Sequence, residues 1–115
     1  MGFWRNELMQ PALDEDTVRK IGEQKAWIAA DPSNARPYYH LAQLYRLQAR
    51  QEEALGLLLE AVHLDAALAE AHAALAEIYA VRADYPAAWR HARAAEKDGI
   101  ASAAELLARH GIAEP

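Results

Sequence analysis

Tyr38-Tyr39-His40-Leu41-Ala42-Gln43-Leu44-Tyr45 is answered 34 residues later by His72-Ala73-Ala74-Leu75-Ala76-Glu77-Ile78-Tyr79. Leu41 falls on Leu75, Ala42 on Ala76 and Tyr45 on Tyr79. The same offset carries Ala54 onto Ala88 and Ala61 onto Ala95 without a gap. The matched positions keep their character: large, small, aromatic, small, small. A 34-residue period is the length of one helix–turn–helix unit. Within the unit, Tyr38, Leu41, Ala42 and Tyr45 stand at i, i+3, i+4 and i+7, which is one face of a helix. Small residues at 42, 54 and 61 let paired helices approach to about 8–10 Å. Leu41 and Tyr45 then fill the hollows that the alanines leave.

Composition agrees with an all-helical chain. Alanine makes up about a quarter of the 115 residues, whereas only three Val, five Ile and one Thr occur. β-branched residues are what strands use, so strands are not expected. The segments 17–30, 35–48, 51–64, 69–82 and 85–98 read as helices. Asn34 is the N-cap candidate of the second, Asp84 with Pro86 opens the fifth, and Gly99 closes it. Ser102-x-x-Glu105 reads as a capping box opening a last short helix with Leu106 and Leu107. Segment 51–64 is apolar over most of its circumference, so it calls for cover on more than one side.

Five matches across two units resemble the tetratricopeptide repeat (TPR), a family of paired antiparallel helices, A then B. The resemblance implies an all-α fold: a right-handed stack of helix pairs, an α-α superhelix. It divides the chain into an N-terminal arm or degenerate helix A (1–16), helix B of a partial repeat (17–34), two full repeats (35–68 and 69–102) and a C-terminal capping helix and tail (103–115). Pro32 falls on the family's end-of-repeat proline. The chain departs from the pattern at Ala66 and Ile100, which replace that proline. His72 stands in the place of Tyr38, and Ala92 stands opposite Leu58.

Chemistry-bearing constellations are sparse. With no cysteine, there is no disulfide framework or zinc-thiolate site. The five histidines, His40, His63, His72, His91 and His110, include no pair three or four residues apart, so no helix presents two of them to a metal. His72 reads as a packing residue and the others as surface or edge residues. The only hydroxyls outside tyrosine are Ser33, Ser102 and Thr17, all at expected helix starts or turns. No Gly-rich phosphate loop occurs. The expectation is no catalytic residue, no cofactor, no metal and no enzymatic activity. A net charge of -5 and a pI near 5.5 speak against nucleic acid as the main partner. No apolar run is long enough for a membrane span or a signal peptide, so a cytoplasmic location is expected.

The TPR resemblance implies that A helices line a concave groove. Its places are Arg36, Tyr39, His40, Gln43 and Arg46 on the first A helix, and Glu70, Ala73, Ala74, Glu77 and Ala80 on the second. Unlike the packing residues, these do not repeat after 34 positions. Arg and Tyr are the residue types that binding hot spots favour. Arg36 and Arg46 are expected to meet acidic groups of a partner, and Glu70 and Glu77 basic ones. A carboxylate clamp of the chaperone-adaptor kind is not implied, because Tyr39 and Gln43 stand where that clamp has Lys and Asn. The function expected is protein–protein interaction: a scaffold or adaptor holding a peptide or helix of unidentified origin in the groove. The alternative is a structural homo-oligomer, built through stack ends or through the apolar arm residues Phe3, Trp4, Leu8, Met9 and Leu13.

Overall fold

A computed structural model describes residues 14–115. Six helices follow one another: α1 (Glu15–Ala30), α2 (Ala35–Leu47), α3 (Gln51–Leu64), α4 (Ala69–Val81), α5 (Tyr85–Lys97) and α6 (Ser102–Arg109). Helix accounts for 75% of the described residues, and no strand occurs among them. The arm residues Phe3, Trp4, Leu8, Met9 and Leu13 lie outside the described residues. Turns of three or four residues fold each helix back along the one before.

The caps fix where the helices begin. Asn34 accepts the Arg36 N–H at 3.2 Å, and Asp84 accepts that of Ala87 at 3.2 Å. Two starts differ from the sequence reading. α1 begins at Glu15 rather than at Thr17, because Asp14 accepts the Asp16 N–H at 3.0 Å and Glu15 and Asp16 favour the positive helix end. Thr17 is thereby drawn inside the helix and buried. α6 begins at Ser102 itself, so its cap is Ala101, which has no side-chain acceptor. The expected capping box is therefore one position out of register.

Four helices end in the same turn. Arg50 N–H donates to Tyr45 O at 2.9 Å, Asp84 to Tyr79 O at 2.9 Å, Ile100 to Ala95 O at 2.9 Å and Ile112 to Leu107 O at 3.0 Å. In each, the residue before the donor is left-handed: Ala49 (φ 58°), Ala83 (φ 61°), Gly99 (φ 104°) and Gly111 (φ 70°). Glycine adopts this conformation freely, whereas an alanine there costs about 1–2 kcal/mol. The two alanines are themselves 34 residues apart. The period thus governs backbone geometry as well as side chains.

Burial follows the period too. Ala42, Ala54, Ala61, Ala76, Ala88 and Ala95 are all at most 1% exposed, and Leu41, Tyr45 and Leu75 are buried beside them. Leu58 and its counterpart Ala92 are both fully buried, so the second unit closes over a smaller side chain. One apolar cluster runs from Ile21 of α1 to Ile78 of α4, and a second joins Ala76 and Trp89 to Ala103 and Leu107 of α6. The element covered on two sides is α4, which contributes to both clusters. α3, for which the sequence called for cover on more than one side, leaves Leu59 40% exposed.

The turns between units are tethered alike. Tyr38 Oη donates to Pro32 O at 2.9 Å. Thirty-four residues on, His72 Nε2 meets Ala66 O, again at 2.9 Å. His72 departs from Tyr38 in residue type but reproduces its hydrogen bond.

Two stability measurements test this frame. Ala42→Leu, which forces three extra carbons into a closed contact, should lower stability by about 1–3 kcal/mol, while Ala67→Leu in an exposed turn changes it far less. Equal urea midpoints would contradict the packing. Ala49→Gly and Ala83→Gly should each raise stability by about 1 kcal/mol by relieving the left-handed alanine. A loss in either variant would mean that the turn carries no such cost.

Candidate functional site

The repeating face of α2 and α4 is buried, which leaves the non-repeating positions to form a surface. Tyr39, Gln43 and Arg46 of α2 and Glu70, Ala73, Ala74 and Glu77 of α4 line one depression of about 150 Å³, together with Ile100. Ala74 is 4% exposed and forms its floor. Arg36 and His40 line a neighbouring depression of about 280 Å³ with Gln24, Trp27, Asn34 and Pro37. Ala80 packs against the second apolar cluster. The sequence reading did not include Ile100, which closes the far side from the turn before α6.

The charges are arranged differently from expectation. Arg36 Nη1 lies 3.0 Å from Glu70 Oε2, and Arg46 Nη2 lies 3.0 Å from Glu77 Oε2. Arg46 also donates to Gln43 Oε1 at 3.2 Å. The four charges expected to await a partner are therefore paired across α2 and α4. The cause is legible in hindsight: neighbouring helices of a 34-residue repeat bring equivalent positions side by side, and Arg36 and Glu70 are equivalent. Exposed pairs of this kind contribute about 0–1 kcal/mol each, so a charged ligand can exchange with them at small cost.

Two ionisable groups register this environment. The Glu70 carboxyl is held below the usual carboxylate range by its own backbone N–H, at the first turn of α4, and by Arg36. Burial, with Glu70 nearby, pushes the Tyr39 phenol up. Tyr39 thus keeps its proton and remains a hydrogen-bond donor at neutral pH. Its ring is half-buried and packs against that of His40, with centroids 5.3 Å apart.

A second polar cluster was not foreseen. His91 is half-buried rather than an edge residue. Its Nδ1 lies 3.0 Å from Nδ1 of His72, and its ring stacks on Tyr79 with centroids 5.6 Å apart. The Ala66 carbonyl can only accept, so His72 Nε2 carries a proton. In neutral His72 the Nδ1 atom is then an acceptor, and His91 Nδ1–H donates to it. Burial first, then His72 and Arg90, lower the His91 pKa to about 4. The signal for this site was register: His91 is equivalent to Leu57, an apolar position. Pairs three or four residues apart on one helix do not reveal a contact across 19 residues.

Among the described residues, no group of three or more His, Asp or Glu is placed to hold a metal ion. The Ser33 hydroxyl donates to Asp31 Oδ1 at 2.8 Å, within the turn before α2. No protein-family model, curated protein or solved structure matches the chain.

The His91 environment carries a sign for pH. The folded protein binds this proton more weakly than the unfolded chain, whose histidine titrates near 6.5. Stability is therefore whole above pH 6.5, is lost as the pH falls from 6.5 towards 4, and loses nothing further from this group below that. Between about pH 7.5 and about pH 5 the wild-type melting midpoint should fall, and His91→Leu should shrink the fall. The carboxyls held low by partners, such as Glu70 and Glu53, act at lower pH and leave the window clear. Identical pH profiles for the two proteins would remove His91 from the account.

Proposed function

We propose that the chain is a small protein-interaction module built as a TPR-like right-handed stack of helix pairs, holding a peptide or helix against the face formed by α2 and α4. The observation that carries this reading is the division of labour on those two helices. Residues that repeat, such as Leu41, Ala42 and Leu75, are buried. Six residues that do not repeat, Tyr39, Gln43, Arg46, Glu70, Ala73 and Glu77, converge on one depression. Positions that packing leaves free are the ones a ligand can use.

The chemistry of that depression defines its ligand. Ala73 and Ala74 give a low floor on which a backbone or a helix can lie close. Tyr39 offers apolar area and a polar tip with only two torsions to fix. The Arg36–Glu70 and Arg46–Glu77 pairs leave the surface nearly neutral but rich in both signs. A segment of mixed charge with an apolar anchor suits it, bound weakly to moderately. The scarcity of hydroxyl and thiol nucleophiles supports binding rather than catalysis. No helix among the described residues is long and apolar enough to cross a membrane. A cytoplasmic adaptor or scaffold is the setting we propose.

The test is a titration. A partner captured on the wild-type chain is measured by calorimetry against wild type and against Tyr39→Ala/Arg46→Ala. The double variant should lose about 2 kcal/mol or more of binding, roughly 30-fold in Kd, while its helical spectrum at the titration temperature matches that of wild type. Undiminished affinity in the variant would place binding elsewhere on the molecule.

A further inference from the structure

α5 carries a pair of side chains that no other unit repeats. Trp89 and Arg93 stand four residues apart, on one side of the helix. Their counterparts are Leu55 and Leu59 of α3, then Ile21 and Lys25 of α1. The Arg93 guanidinium carbon lies 5.0 Å from the centre of the Trp89 ring, within cation–π reach. Trp89 is 5% exposed, so its indole N–H needs an acceptor.

The acceptor comes from the residues that follow α6. Gly111 turns the chain with a left-handed φ of 70°, and residues 112–115 are not helical. Trp89 Nε1 donates to the Ile112 carbonyl at 3.1 Å. The Ile112 side chain is half-buried against the apolar cluster that contains Trp89. Two residues further on, Glu114 takes Arg93 with both oxygens. Arg93 Nε donates to Oε2 at 2.9 Å and Nη2 to Oε1 at 2.5 Å, while Nη1 goes to Glu96 at 2.8 Å. Arg93 holds the Glu114 carboxyl below the usual carboxylate range.

This face of α5 therefore reads three features of a segment: a main-chain carbonyl, an aliphatic side chain on the same residue, and a carboxylate two places later. The forked Arg–carboxylate contact adds geometry to charge. None of the three requires the segment to belong to the same chain. The hold is also light. At Arg50, Asp84 and Ile100 the same turn leads into the next helix at Gln51, Tyr85 and Ser102, whereas Ala113, Glu114 and Pro115 are all exposed. The Arg93 and Glu114 side chains keep 47% and 41% of their surface in solvent, so their attraction is well screened. Occupancy by so short a segment rests largely on its tether, which keeps it at a high effective concentration.

We infer that the Trp89–Arg93 face of α5 is a docking site for a short acidic segment of a partner protein, with an aliphatic residue two places before a carboxylate, and that residues 111–115 occupy it in cis as a displaceable strap. Neither Trp89 nor Arg93 lines the depression beside Tyr39. The inference thus stands apart from the groove reading, and its test uses a defined probe.

The probe is an acetylated peptide with the sequence of residues 110–115, titrated into the full-length chain while the Trp89 indole N–H is followed by NMR. Ile112→Ser/Glu114→Gln weakens the strap, so this variant should bind the probe at least about tenfold more tightly than wild type, whose site is mostly filled. Adding Arg93→Gln to the variant, or putting glutamine for glutamate in the probe, should weaken binding at least about tenfold. Equal affinity of wild type and the double variant overturns the cis strap. A Trp89 signal that the probe leaves unmoved in the double variant overturns the site. Loss of the helical spectrum in that variant makes residues 111–115 part of the fold and overturns the inference as well. Concentration-dependent dimerisation of wild type that Glu114→Gln abolishes overturns it by assigning the face to the tail of a second copy.

Discussion

The contact between small side chains at the helix crossings sets the distance on which the rest of the molecule depends. Ala42, Ala54, Ala61, Ala76, Ala88 and Ala95 contribute little burial of their own, about 0.8 kcal/mol per methyl. Their effect is to let the helices close to about 8–10 Å. At that spacing Leu41, Leu58 and Leu75 are covered almost completely, and each such leucine contributes roughly 2 kcal/mol. The same spacing permits three-residue turns and lays α2 beside α4. The Arg36–Glu70 pair, the depression beneath Tyr39 and the tether from Tyr38 to Pro32 all presuppose it. A larger residue at any of these crossings would disturb the surface as well as the core.

The surface is divided by what that packing consumes. One face of each of α2 and α4 goes into the core, and the next face carries the non-repeating residues, of which Tyr39, Ala73 and Ala80 pack along the core's edge. Those residues are not idle in the isolated chain. The two Arg–Glu pairs neutralise one another, so the face presents hydrogen-bonding capacity without a strong field. Long-range steering by net charge is correspondingly weak there. The acidic net charge resides on the other faces.

Most of the helical frame was legible in the sequence, because spacing alone decides it. Leu41, Ala42 and Tyr45 mark a buried face by their period, and Asn34 and Asp84 mark two helix starts by their chemistry. The start of α1 was misjudged because Asp14 and Thr17 are both capable caps, and only the first is followed by an acidic turn. The site was legible in part. The positions of Tyr39, Gln43 and Glu77 follow from the register, but the pairing of their charged neighbours depends on which helix lies beside which. The His72–His91 contact joins different helices and could be read only by noticing a histidine in an apolar register. The left-handed Ala49 and Ala83 carry no sequence signal of their own, since alanine is the best helix former and here ends a helix.

The bond that tethers each inter-unit turn has a consequence for how repeats of this kind are recognised. Tyr38 and His72 share neither size nor aromatic chemistry in detail, and Pro32 and Ala66 share even less. What persists from one unit to the next is a donor placed six residues after a carbonyl, at 2.9 Å in both units. A comparison that scores residue types counts these positions as two mismatches. A comparison that scores the placement of donor and acceptor atoms counts them as one conserved interaction. In a chain where the repeated object is a geometry, the alphabet of amino acids understates the symmetry that the backbone keeps.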